Sequence, residues 1–146
     1  MKLRKKMSSK KQNKTIIKKC DRLWSLIVRS AGECLVCGKP GTERADGLKV
    51  KGLDAHHLIS RRYPKYRYDV HNGVCLCKGC HMFKVHGGRL EVVWAFFVYL
   101  RLHHNTTYRW FTRHYDKLDE PDVLDYEQIY KNLSDDLAGT VLGQKG

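Results

Sequence analysis

The chain has 146 residues, of which 28 are Lys or Arg and 15 are Asp or Glu, so its formal net charge is +13. This length predicts one domain with terminal tails, and the positive charge favours a polyanionic partner such as nucleic acid. Residues 1–19 contain no apolar leader, and the most apolar stretch, residues 90–102, is shorter than the roughly 20 residues of a membrane span. We therefore expect a soluble, cytoplasmic protein, and we exclude secreted and membrane-spanning classes.

The charge is unevenly distributed along the chain. Residues 1–14 (MKLRKKMSSKKQNK) are half Lys and Arg, with almost no apolar side chains. This composition predicts a disordered basic arm over residues 1–14. Residues 116–146 hold eight acidic and only three basic side chains, so the positive charge is concentrated in residues 1–115.

A helix is predicted from Thr15, because apolar residues recur at helical spacing from there, and Gly32 is expected to end it. Its apolar stripe comprises Ile16, Ile17, Cys20, Leu23, Trp24, Ile27 and Val28. Residues 53–59 and 73–76 have the pattern of short strands, and another helix is expected to begin near Lys78. The polar, basic segment SRRYPKYRYDVHN between the two strands predicts a long surface loop.

The central segment contains two C-x2-C pairs, Cys34 with Cys37 and Cys77 with Cys80. Each pair can bind one tetrahedral Zn²⁺ through both thiolates, and two pairs make a closed structural site. We predict such a zinc site, with two disulfides or a redox C-x-x-C motif as the alternatives. Cys20 and Cys75 are expected to be ordinary buried cysteines.

Candidate catalytic residues lie between and just after these cysteine pairs: His56 and His57, then Asn72, then His81 directly after the last cysteine, and finally His86. Together with the cysteines, this order resembles the HNH (ββα-metal) endonucleases. The run from Cys20 to Gly87 resembles the phage NinG (Rap) recombination endonucleases still more closely. The resemblance is consistent with a phage-encoded protein that acts in a bacterial host cell.

This resemblance implies an α+β fold, mostly helical, around a small zinc-stabilised ββα-metal (His-Me finger) core. Residues 15–104 would form the nuclease domain and residues 105–146 a C-terminal helical extension. It implies that His57 is the general base, because a neutral imidazole can accept a proton at physiological pH. His56 and His81 would bind a catalytic divalent ion, expected to be Mg²⁺ or Mn²⁺, and Asn72 would fix the His57 segment by hydrogen bonds across the loop.

Each of these assignments has a plainer alternative. Asn72 precedes a glycine and could be only a turn residue, and the histidines could be structural. Neighbours on a regular strand point to opposite faces, so His56 and His57 can converge only if the strand twists or ends there. His86 is a candidate third ligand, but its spacing of five from His81 rotates it away on a regular helix.

The loop between the strands alternates cations with aromatic residues, a composition that suits phosphates, sugars and unstacked bases. The candidate DNA contacts are Arg61, Arg62, Lys65, Tyr66 and Arg67 in the loop, with Lys84 on the following helix. A solvated loop is the alternative. We identify no base-reading helix, so recognition of DNA backbone and shape is expected.

Further helices are predicted over residues 89–104 and 106–115, and a last one from Asp119-Glu120-Pro121 to Ala138, ended by Gly139. The apolar helix at residues 90–102 carries Trp94, Phe96, Phe97 and Tyr99. It is a candidate homodimer surface, since a junction-cleaving enzyme needs two active sites. Burial against the N-terminal helix is the alternative.

The resulting hypothesis is a metal-dependent DNA endonuclease, and the resemblance implies branched recombination intermediates as its substrate. One alternative is a general nicking or homing-type HNH nuclease. The other is a non-catalytic, zinc-stabilised nucleic-acid-binding module, which would need the cysteines and the basic loop but has no use for clustered imidazoles.

Overall fold

We describe a computed structural model, which defines the backbone of residues 2–86, 88–118 and 124–144 and, within these ranges, the side chains of residues 13–143. The strands form two antiparallel pairs: β1 (Thr42–Glu43) with β2 (Lys49–Lys51), and β3 (Leu53–His57) with β4 (Gly73–Cys77). The described helices are α1 (Lys2–Arg29), α2 (Pro64–Arg67), α3 (Leu90–His103), α4 (Asn105–Tyr115) and α5 (Tyr126–Gln144). A 3-10 turn lies at Val70–Asn72 and a π-helix at Cys80–Val85. The predicted mixed α+β class is confirmed at this coarse level.

The central packing places α1 across the β3–β4 sheet. Cys20, Trp24 and Val28, spaced four residues apart on α1, are all buried against this sheet. A Cβ atom at Gly73, the first residue of β4, would collide with Trp24 and Val28, so this close approach of helix and sheet requires glycine. Gly32, with a φ of +81°, follows the end of α1 as predicted.

Composition predicts a disordered arm over residues 1–14, and the described backbone from Lys2 onward is the first part of α1. Lys, Arg and Gln are good helix formers, and neither glycine nor proline occurs before Gly32. The helix, once held by its buried C-terminal half, therefore continues into the basic segment.

The C-terminal helix α5 packs along α1 and completes the core. Its Leu133 is buried in the same cluster as Cys20 and Trp24. The predicted end at Gly139 is wrong, since α5 runs to Gln144, and the predicted start at residues 119–121 lies outside the described residues. Asp125 caps the observed start by accepting a hydrogen bond from the backbone N–H of Gln128.

Helix α3 packs chiefly on α4 and on the π-helix, and its buried residues join the same core cluster as Cys20 and Trp24 of α1. Phe96 and Leu100 are buried on its inner side, whereas Trp94 on its outer side is 71% exposed. The homodimer surface stays a prediction. Among the described residues, the helices are too short or too polar for one to cross a membrane.

Candidate metal centre and general base

The four cysteines of the two C-x2-C pairs meet at one point, with all four sulfur atoms within 4.8 Å of one another. The Sγ atoms of Cys37 and Cys77 are 3.7 Å apart. Two sulfurs on a tetrahedral zinc ion would be about 3.8 Å apart, given Zn–S bonds of about 2.3 Å. The cluster is thus compatible with structural zinc. Cys20 and Cys75 lie outside the cluster and are buried, as predicted.

The thiol of Cys34 is already disposed to ionise in this cluster. Burial opposes its ionisation, but the neighbouring backbone N–H groups and the Cys37 thiol outweigh burial and lower the pKa of Cys34 to about 7. Cys75 stands outside the cluster, and burial raises its pKa to about 11. Burial also raises the pKa of Cys80, which belongs to the cluster, so the division of the cysteines into candidate ligands and core residues depends on the positions of their sulfur atoms and not on their pKa values.

A second cluster brings together the imidazoles of His56, His81 and His86, whose ligand nitrogens also lie within 4.8 Å of one another. His56 comes from β3, and the other two come from the π-helix and the residue after it. Burial, with the nearby imidazoles of His86 and His81, lowers the pKa of His56 to about 3. His56 therefore stays neutral at physiological pH, and a neutral imidazole is the form that binds a metal.

The π-helix explains how His86 joins this cluster despite its spacing of five. In a regular α-helix, five residues place two side chains about 140° apart around the axis. Here the backbone N–H of His86 donates to the carbonyl of His81 at 3.1 Å, a hydrogen bond from residue i+5 to residue i. The wider turn returns His86 to the side of His81, which a regular α-helix with this spacing would not do.

Asp54 orients one of the histidine ligands. It lies two residues before His56, on the same face of β3, and its carboxylate accepts a 3.1 Å hydrogen bond from Nδ1 of His81. Since that nitrogen carries the proton, Nε2 of His81 presents its lone pair to the cluster. A carboxylate behind a histidine ligand fixes the tautomer and increases ligand basicity.

His57 is the last residue of β3, and its ring lies flat on the indole of Trp24, with ring centroids 3.7 Å apart. Its Nε2–H donates to the carbonyl of Arg67 at 2.9 Å. This hydrogen bond leaves the lone pair on Nδ1, which has no hydrogen-bond partner among the described residues. Burial lowers the pKa of His57, so the neutral form prevails at physiological pH.

Asn72 is fully buried and holds the two ends of the β3–β4 connection together. Its Nδ2 donates to the carbonyls of Ile59 and Tyr66 at 2.8 and 3.0 Å, and its Oδ1 accepts from the backbone N–H of Ile59 at 2.7 Å. The residue after Tyr66 supplies the carbonyl that holds His57. The geometry agrees with the predicted bridging role of Asn72 and goes beyond that of a turn residue.

An open cavity of about 620 Å³ contains the three clustered histidines together with His57 and Arg61. Neighbouring residues on a regular strand point to opposite faces, but β3 ends at His57. Both His56 and His57 can therefore reach this cavity. Arg61 and Arg62 are exposed beside it. Lys65 is also exposed, and its ammonium group lies 5.9 Å from the ring centroid of Tyr66.

Three of the predicted DNA contacts lie elsewhere. Tyr66 is 3% exposed and its hydroxyl group donates to the carbonyl of Lys117, so it is a core residue and its assignment as a DNA contact is corrected. Arg67 forms a two-pronged ion pair with Asp21, which occupies its guanidinium group. Lys84 is exposed but lines a neighbouring apolar groove rather than the histidine cavity.

Sequence reasoning missed Asp54 and Trp24 as members of this site. The position of Asp54 two residues before His56 was the available signal, because strand residues i and i+2 share a face. Trp24 gave no separate signal, since it fits the apolar stripe of α1 like any other core residue.

Comparison with known proteins adds no family assignment: no protein-family model matches the chain, and neither a curated protein nor a solved structure matches it. The interpretation of this site therefore depends on its own geometry.

Proposed function

We propose that this protein is a metal-dependent DNA endonuclease of the HNH type. The observation that supports this proposal is the shared cavity, in which His56, His81 and His86 can hold an ion beside a differently tethered imidazole, His57. A purely structural metal centre would need the three ligands but not the fourth histidine. The net charge of +13 supplies the affinity for a polyanion.

In this proposal His57 is the general base. Its Nε2–H is held by the Arg67 carbonyl, so Nδ1 accepts a proton from a water molecule that attacks the phosphorus atom. Trp24 stacks on the ring and limits its rotation. Arg61, exposed in the same cavity, would bind a phosphate oxygen and position the diester. A bound divalent ion supplies charge stabilisation at the phosphate and the leaving oxygen.

The ligand set bears on which ion is bound. The cluster offers three imidazole nitrogens and, among the described residues, no carboxylate ligand, since Asp54 is engaged behind His81. Imidazole suits Zn²⁺, Ni²⁺ and similar ions, whereas Mg²⁺ prefers oxygen ligands. We therefore propose a transition-metal ion ahead of Mg²⁺.

Branched DNA is the proposed substrate class. A ββα-metal site needs a deformed backbone to reach the phosphate, and bending linear duplex costs of order 1–6 kcal/mol. A junction presents that deformation already. Since about 1.4 kcal/mol corresponds to a factor of ten in rate, even the lower end of this range is measurable in competition.

The test incubates the full chain with a four-way junction and a linear duplex of matched sequence, with Mg²⁺, Mn²⁺, Ni²⁺ or Zn²⁺ added. We expect metal-dependent cleavage that favours the junction. His57→Ala should lower the cleavage rate by roughly 10² or more while DNA binding and zinc content persist. His103→Ala, which removes an exposed histidine on α3, is the matched control and should cleave normally.

Near-wild-type cleavage by His57→Ala would contradict the assignment of the base. Absence of cleavage with every ion, together with retained DNA binding, would favour a non-catalytic zinc-stabilised binding module. Equal cleavage of junction and linear DNA would favour a general nicking nuclease.

A further inference from the structure

A second cavity, of about 550 Å³, opens where α4 meets the 3-10 turn. Its polar lining comes from His71, Asn105, Thr106, Thr107, Arg109 and Arg113. Arg109 and Arg113 lie four residues apart, so they share one face of α4. We call this feature the α4 groove.

The α4 groove is strongly cationic. Both arginines are exposed, and neither forms an ion pair with any residue that the structure describes. Helix α4 contains no acidic residue, and its N-terminus, where backbone N–H groups lack helical partners, opens into the groove. Asp69, which precedes the lining residue Val70, is engaged with the backbone N–H and the ring of His71. Two arginines and a helix N-terminus without carboxylate partners suit phosphate oxygens.

The α4 groove lies next to the histidine cavity. His57 lines the histidine cavity, and Gly73, its antiparallel partner across the β3–β4 sheet, lines the α4 groove. Trp110 of α4 also packs edge-on against Tyr66 in the β3–β4 connection. A nucleic-acid backbone at the histidine cavity can therefore continue into the groove around one end of the sheet.

We propose that the α4 groove binds the phosphate backbone of the DNA arm that extends from the cleaved diester. Arg109 and Arg113 contact successive phosphates, and the hydroxyl groups of Thr106 and Thr107 contact the same strand at the start of α4. This inference rests on the proposed function for the identity of the polyanion. It assigns to α4 a DNA-binding role in addition to the one proposed for the basic loop at residues 60–72.

The test measures binding of the full chain to a labelled 30-base-pair duplex by fluorescence anisotropy between 50 and 300 mM NaCl, without added divalent ion. In the double variant Arg109→Gln with Arg113→Gln, the Kd at 150 mM NaCl should rise at least tenfold. The slope of log Kd against log salt should fall by about 1.8, since each lost phosphate contact removes about 0.9. The matched control, Lys49→Gln with Lys51→Gln, removes the same charge from exposed positions on β2 and should raise the Kd at most threefold.

Thr106→Glu separates binding from folding. An acidic side chain in the first turn of α4 favours the helix, so thermal stability should be retained or increased. The new charge lies in the groove and should raise the Kd at least fivefold.

Unchanged Kd and salt slope in Thr106→Glu and in the arginine double variant would overturn the role of the α4 groove and leave the proposed nuclease intact. Equal weakening by the β2 control would also overturn it, because the effect would then reflect net charge alone. If the wild-type protein itself does not bind the duplex, the proposed function fails first, and the inference fails with it.

Discussion

Replacing Asn72 tests whether one buried amide organises the β3–β4 connection, which supplies the carbonyl that holds His57, the proposed general base. Asn72→Ala would leave the N–H and the carbonyl of Ile59 without a partner, whereas the carbonyl of Tyr66 would keep the backbone N–H of Asp69. A buried polar group that loses its partner costs about 1–3 kcal/mol. Because carbonyl groups tolerate this loss better than N–H groups, we expect the free energy of unfolding to fall by about 2–4 kcal/mol.

Urea unfolding followed by circular dichroism, at a fixed zinc concentration, measures this loss. The expected change is a large part of the roughly 5–15 kcal/mol that stabilises a typical domain. Asn132→Ala, on the exposed face of α5, is the matched control and should change stability by less than about 0.5 kcal/mol. A loss below about 1 kcal/mol in Asn72→Ala would refute the reasoning, because the three hydrogen bonds would then contribute little.

Asn72→Asp adds a test with a defined pH dependence. One carboxyl oxygen can still accept from Ile59, but the other would face the carbonyl oxygens of Ile59 and Tyr66. Burial and these carbonyls should raise the pKa of the new carboxyl group in the folded state. Its protonated form can donate, so the variant should be nearest to wild type at low pH and lose relative stability as the pH rises through the raised pKa. Melting temperatures of both proteins, compared at each pH from 5 to 8, would contradict this if their difference stayed constant.

Two further substitutions, one deletion and one insertion test the metal centres. Cys34→Ser should lower zinc content and the melting temperature together, because binding energy at such a site is folding energy; unchanged values in metal analysis and calorimetry would mean that the cluster is not a zinc site. Asp54→Asn should weaken Ni²⁺ binding to the histidine cluster by about 10- to 100-fold in a calorimetric titration, whereas Asp46→Asn, on the exposed β1–β2 turn, should not alter it. Deleting Lys84 should keep Ni²⁺ binding within about tenfold, because a spacing of four returns His86 to the same face of a regular α-helix. An alanine inserted after Lys84 should abolish that binding, and equal behaviour of the two variants would contradict the role assigned to the π-helix.

Much of this site could be predicted because it depends on local spacing. Two C-x2-C pairs can chelate one ion almost independently of the fold around them, and Cys34 with its three partners does cluster. The two central strands could also be predicted from the sequence, since short apolar runs flank a polar segment. The expectation that His56 and His81 lie together came from the resemblance of the motif order to a known family, and the structure does place them together.

Other features depend on tertiary context that no local pattern carries. The segment between β3 and β4 was predicted to be a surface loop, yet two of its own residues, Tyr66 and Tyr68, are buried. A Tyr side chain is compatible with both the surface and the core. Whether it is buried here depends on its contact with α4, which is distant from the loop in the sequence. Gly139 likewise was expected to end a helix, but α5 is stabilised by packing on α1 and continues past Gly139.

The two candidate metal centres are mechanically connected. Cys80 belongs to the cysteine cluster and begins the π-helix, and the next residue, His81, belongs to the histidine cluster. A zinc ion held by Cys77 and Cys80 would therefore fix the start of the helix that presents two of the three histidine ligands. Val85 lies five residues after Cys80 and His86 lies five residues after His81, and both Val85 and His86 line the histidine cavity. The residues between these pairs, such as Phe83 at 78% exposure, are outside both clusters. Loss of structural zinc should for this reason disorder the histidine cluster as well, so that this cluster also loses its ion. Loss of the ion from the histidine cluster should leave the zinc ion of the cysteine cluster in place.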